Sequence, residues 1–230
     1  MKSNNFKTTR RSQIGILLVL GTLLVVGVVG WGLWAVEYTA SGSSHREFTL
    51  NVDFVKFRQI MVRKNATQAI VAHSGMKLID ERVNDLSVEV TRQKRPILKA
   101  LLGNANADLA ASKQITVSLE DPQLNAKQLT LNQLVDIHPD YMEVHSESSE
   151  PAGNLKYYAT RLRASDYEGG TKVELTIDQK VDVKVPKLFI AEADRKVQQA
   201  ADESTTQQEQ AIRAFITQFQ DEVIVIPELR

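Results

Sequence analysis

The longest apolar run in the chain covers positions 14–36, twenty-three residues without a single charge and dominated by Leu, Val, Ile and Gly. At a helical rise of about 1.5 Å per residue, such a run crosses a hydrocarbon core of about 30 Å. Trp31 and Trp34 fall near its far end, where amphipathic rings favour the interface, and Lys2, Lys7, Arg10 and Arg11 precede it. The pattern predicts an uncleaved transmembrane helix at 14–36, with residues 1–13 as a cytoplasmic tail and everything beyond it extracytoplasmic. A cleaved signal peptide would have an apolar region of about 7–15 residues and a small-residue cleavage site, and neither is present. No polar stripe interrupts the run, which argues against a buried helix of a soluble domain. Gly21, Gly27 and Gly30 do not form a GxxxG pair. The small, polar residues 39–44 then predict a linker over 37–46, placing the start of the soluble domain at 47.

Within that domain, alternation at Phe48, Leu50, Val52 and Phe54 predicts a first strand, continuing to Val62 after a change of face at Val55. Asn65 is placed to cap a short helix ending near His73 and closed by Gly75, with Ala66, Ala69, Ile70 and Ala72 as its apolar side. Leu86, Val88 and Val90 mark a second strand beginning near Met76. Pro96 opens a stretch in which Ile97, Leu98, Leu101, Leu102, Ala105 and Leu109 recur at helical spacing, a predicted insertion over 96–111. Ile115, Val117 and Leu119 give a third strand, Asp121-Pro122 a turn, and Leu129, Leu131, Val135 and Ile137 a fourth strand that pairs with the third. His138-Pro139-Asp140 is turn chemistry, Met142 and Val144 begin a fifth strand, and 146–153 reads as a loop.

The clearest alternation follows. Tyr158, Thr160, Leu162 and Ala164 precede the turn Glu168-Gly169-Gly170; Val173, Leu175, Ile177, Val181, Val183 and Val185 then alternate with charged and polar residues, predicting a hairpin with one wet face. From Pro186 to about Phe219 the period changes to 3.6. Ala193, Val197, Ala200, Ser204, Gln208, Ala211 and Phe215 form one stripe, beside Ala201, Ile212, Ile216 and Phe219. Residues 221–230 are a tail in which 223–226 read as a short strand or an extended end.

An antiparallel sheet with one apolar face needs a cover, and the long amphipathic helix is the element large enough to supply it. The expected fold class is α+β: an N-terminal transmembrane helix, then a curved antiparallel seven-stranded sheet gripping a long C-terminal helix. In element order, and in the Val185-Pro186-Lys187-Leu188 lead into the final helix, residues 48–219 resemble the START-like, helix-grip superfamily, which includes polyketide cyclase/dehydrase-like and lipid-transfer proteins. The resemblance implies a START-like soluble domain over 47–220 that binds a lipid or another apolar small molecule. The predicted insertion and the length of the final helix depart from that pattern.

Composition narrows the chemistry. Lys+Arg and Asp+Glu number 28 each, so there is no basic field for nucleic acid, and the absence of cysteine excludes thiol catalysis, disulfides and lipid attachment through Cys. His138, Asp140, Glu143 and His145 are ligand types for zinc, but they divide between a turn and the polar side of a strand, so no metal site is assigned. His73 suits the C-terminal end of a helix dipole, and His45 falls in the linker. Asp80, Glu81 and Asp85, or Glu147 and Glu150, would serve as acid–base pairs only in environments that separate their pKa values; each sits in a polar stretch and reads as solvated surface. No G-x-S-x-G element is present, and Glu168-Gly169-Gly170-Thr171 joins two strands where a phosphate loop would need a following helix. Arg92, Lys94 and Arg95 fall below the usual polybasic cluster, and Gln198, Gln199, Gln207, Gln208 and Gln210 read as a solvated helix side or a partner surface.

No catalytic residue and no cofactor is therefore assigned. The reading is a membrane-anchored, non-enzymatic binding module for a lipid or other apolar small molecule. Its competitor is a structural or interaction protein of the cell envelope with a filled core, engaging a protein partner. A cavity of about 300 Å³ or more separates the two.

Overall fold

The computed structural model describes residues 30, 34–62, 66–73, 76–89, 108–119 and 124–222. The first strand, β1, is Ala35–Leu50, and it contains the run expected as a linker. Small residues serve packing here. A Cβ on Gly42 would lie 2.5 Å from the carbonyl oxygen of Val197 on the C-terminal helix, and Ala40 is fully buried. Ser43 is tied to that helix through both backbone groups: Gln198 accepts from its N–H at 3.1 Å and donates to its carbonyl at 2.7 Å. Flexible linkers and close helix–strand crossings both select small residues, so composition alone does not separate them.

The expected continuation of the first strand to Val62 is also corrected. Phe54–Met61 is a helix, α1, capped by Asp53, whose Oδ1 accepts from the backbone N–H of Lys56 at 2.9 Å. Phe54, Phe57, Arg58 and Ile60 are its buried residues, a three- to four-residue spacing that begins where the alternation ends. The second helix, α2, spans Ala66–His73 as expected; its predicted cap Asn65 and closing Gly75 lie outside the described residues.

Six further strands follow: β2 (Lys77–Glu89), β3 (Asp108–Ser118), β4 (Gln128–Ile137), β5 (Tyr141–Ser148), β6 (Leu155–Tyr167) and β7 (Gly170–Pro186). Leu109, assigned to the helical insertion, belongs to β3, where it pairs with Ile137; residues 96–107 lie outside the described residues. The loop expected from 146 begins later, because β5 runs to Ser148. The β6–β7 hairpin closes through Glu168 at φ 49° and Gly169 at φ 80°, the two-residue left-handed turn whose twist suits antiparallel strands.

The described strands form one antiparallel sheet in the order β1-β7-β6-β5-β4-β3-β2. Pro186 ends β7 rather than opening the helix, because it is still paired with Ala35. A short 3-10 turn, Lys187–Phe189, leads into α3, Ile190–Phe219. This helix lies across the apolar side of the sheet and buries Ala193, Val197, Ala201, Thr205, Ala211, Ile212, Phe215 and Ile216. The result is an α+β, helix-grip architecture.

The predicted membrane segment lies outside the described residues except for Gly30 and residues 34–36, of which 35 and 36 already belong to β1. Among the described residues no helix is long and apolar enough to cross a membrane.

Candidate functional site

Between sheet and helices lies a cavity of about 620 Å³. Two packed regions of the core adjoin it. One is built around Phe48, Phe57, Phe215 and Ile216, the other around Ala40, Leu155, Val181 and Val197. The eight residues just named stand back from the cavity wall, although other members of both regions border it. The wall instead uses the inward rows of β3, β4 and β5, with Ile70 and Val71 of α2 and Ile212 of α3 closing over them. Exposed Val62 and Val83 also line it, which places the mouth between the end of α1 and β2.

The lining is mostly apolar, with a few polar groups. Gln208 of α3 donates to the Tyr158 hydroxyl at 3.1 Å, and burial pushes the Tyr158 phenol up to about 12, so it remains protonated at neutral pH. Gln133 donates to the Ser146 hydroxyl at 2.8 Å. Near the mouth, Lys113 Nζ pairs with Glu81 at 2.7 Å and donates to the Thr67 hydroxyl. Glu81 is the one carboxylate among the described lining residues.

Among the described residues Arg58 is the largest fully buried side chain, and it lies outside this wall. Its Nη1 donates to the carbonyl of His138 at 2.8 Å and its guanidinium sits 4.9 Å from the Phe54 ring centre. Burial lowers its pKa against the opposing pull of Asp53. It fastens α1 to the β4–β5 turn.

The sequence candidates are dispersed. His138 stacks on Tyr141 in the turn, ring centres 4.3 Å apart, whereas His145 is 3.4 Å from Glu147 and Glu143 3.4 Å from Arg161 on the opposite side of β5 from Met142 and Val144. Among the described residues no three His, Asp or Glu side chains come together as a metal site. His45 is in β1 and not a linker, with Nδ1 3.0 Å from the Thr176 hydroxyl. Asp80 pairs with Arg82 at 2.8 Å while Glu81 pairs with Lys113, so these two form no acid–base couple. Arg92, Lys94 and Arg95 lie outside the described residues.

Glu81 is solvent-exposed, as read, and stands at the cavity mouth; one assignment changes, since Gln208, read among a solvated glutamine group, faces Tyr158 within the cavity. For Gln208 the signal was already present, since it shares a stripe with Ala211 and Phe215. Gln133 and Ser146 carry no chemical motif in the sequence, and the apolar members of their strands mask them. The available signal was a polar residue in the inward phase of each.

No family model matches the chain, and no curated protein does either. Among solved structures, the chain is similar to protein SA2116 from Staphylococcus aureus, with 8% identity, 80% of this chain and 98% of that one covered, and a TM-score of 0.45. It is similar to the Zhui aromatase/cyclase from Streptomyces sp. R1128 at 14% identity, covering 76% and 92% of the two chains, with a TM-score of 0.42. Norcoclaurine synthase from Thalictrum flavum matches at 10% identity over 84% and 93% of the chains, with a TM-score of 0.38. These are likenesses of layout; the helix-grip architecture is defined by the strand order and registers above.

Proposed function

We propose that this protein is a non-enzymatic binding module for an apolar small molecule, a lipid being one such class. We further propose that the uncharged segment 14–36 tethers it to a membrane, with the N-terminus cytoplasmic and the sheet domain on the other side. The cavity of about 620 Å³ is the observation that carries the binding reading. Its size falls within the range of small-molecule pockets, whereas a core packed at ordinary protein density leaves only water-sized voids. The competing reading as an envelope interaction protein required a filled core. A non-enzymatic role is favoured by the walls: the one carboxylate among the described lining residues is held by Lys113, and the Tyr158 phenol stays protonated.

The test is native mass spectrometry of the full chain released from detergent, followed by solvent extraction. Truncation at residue 46 would cut through β1, so the whole chain is required. The expected result is an apolar compound bound near one per chain, or uptake of an added fluorescent lipid to that ratio. A clean apo mass with no uptake overturns the binding reading. Protease digestion of intact cells tests the tether separately; cleavage of the sheet domain only after permeabilisation would reverse the proposed orientation.

A further inference from the structure

The polar residues of the cavity floor fall on one rung of the sheet. Lys113 of β3 is paired with Gln133 of β4, Gln133 with Ser146 of β5, and Ser146 with Thr160 of β6. All four line the cavity. The next rung, two residues along each strand, is wholly apolar: Ala111, Val135, Val144 and Leu162 are paired in the same sequence. Where they line the cavity, the inward rows of β3, β4 and β5 are each broken once, and the registers bring these breaks into line with Thr160 of β6.

Chance placement of polar groups in an apolar wall is costly, because each loses water without gaining a partner. Along this rung the groups are only partly satisfied. Lys113 is occupied by Glu81 and Thr67 at the outer end. Gln133 spends one N–H on Ser146, and Thr160 makes no side-chain hydrogen bond among the described residues. Two positions before Thr160 on the same side of β6, Tyr158 accepts from Gln208 and keeps its own O–H to donate. The unspent capacity is a set of neutral donors and acceptors along a line across β4, β5 and β6, with apolar surface beside it.

We propose that this rung is a recognition strip, and that the ligand is an apolar scaffold carrying neutral oxygen groups, hydroxyl or carbonyl, along one edge. An unadorned hydrocarbon would leave the Thr160, Ser146 and Gln133 groups unpaired, and a charged group would find no free counter-ion here, since Lys113 and Glu81 already satisfy each other. The proposal rests on the reading of the cavity as a ligand site and specifies what that site selects.

The experiment compares two fluorescent probes of nearly equal shape, pyrene and 1-hydroxypyrene, titrated against the full chain in lipid nanodiscs. Partition into lipid is the same for every protein variant and cancels when variants are compared. Thr160→Val keeps the shape and a β-branched side chain, and Ser146→Ala supplies an independent deletion; thermal unfolding verifies that each folds. Loss of one hydrogen bond to the probe weakens 1-hydroxypyrene by about fivefold while leaving pyrene unchanged. Equal effects on both probes, or no effect on either, overturn the recognition strip and leave the cavity reading standing. Failure of the wild-type chain to bind either probe overturns both.

Discussion

The β1–β7 side of the molecule and the β3–β5 side face the same helix and treat it in opposite ways. On β1, Ala40 and Gly42 let α3 descend until the Val197 carbonyl would touch a Cβ at position 42, and Gln179 of β7 donates to that same carbonyl at 2.8 Å. On β3, β4 and β5 the inward residues are mainly Val, Leu and Ile, and they end in open space. Small residues let the helix come close to one sheet edge, while the medium-sized side chains across the sheet leave space unfilled.

The strongest way to break this contrast is to remove packing from each region. Phe215→Ala empties a fully buried site between α3 and the Phe48–Phe57 cluster, and is expected to cost about 4 kcal/mol in urea unfolding. Leu131→Ala on the cavity wall is expected to cost about 2 kcal/mol, because its neighbours on one side are already missing. Equal losses would mean that the wall is packed as tightly as the rest of the core.

Adding atoms sharpens the same comparison. Gly42→Ala introduces one carbon where no backbone can give way easily, with an expected cost of about 1–3 kcal/mol. Val144→Phe adds far more volume but directs it into the cavity, so stability is expected to change by under about 1 kcal/mol while probe binding falls at least tenfold. A large destabilisation from Val144→Phe would contradict the cavity's volume.

How much of this is legible in the sequence follows from the same packing. Alternation revealed β3 to β7, and the 3.6 period revealed α3, because a solvent side and a core side leave opposite traces along the chain. At positions 39–44 the strand was invisible: its inward residues are Ala40, Gly42 and Ser44, small enough for the helix's close approach, and they carry little hydrophobic signal. Helix α1 was concealed for another reason, since its first residue, Phe54, also completes the alternation of Phe48, Leu50 and Val52. The apolar cavity could be expected from the resemblance, but its polar rung could not be placed without the registers. Gln133, Ser146 and Thr160 are unremarkable in separate strands and become a line only when the strands are aligned.

The smallest expected effect concerns what holds the tight side closed at its far end. Glu209 of α3 accepts from Arg46 Nη1 at 2.9 Å and from Arg213 Nε at 2.8 Å, while Arg213 also donates to the Thr49 carbonyl at 2.9 Å. Burial opposes ionisation of Glu209, but the two arginine hydrogen bonds outweigh it and hold the carboxyl below its ordinary range. A carboxyl whose pKa is lower folded than unfolded contributes stability that is complete above the unfolded value and disappears as pH falls through the folded one. Glu209→Gln should therefore cost about 0.5–1 kcal/mol at pH 7, and the gap from wild type should close below about pH 4. Probe affinity should stay unchanged, because the clamp binds α3 to β1 away from the cavity wall. A gap that persists undiminished into acid would show that Glu209 acts through its shape, and a fall in probe affinity would show that the two sides of the sheet are coupled through the helix they share.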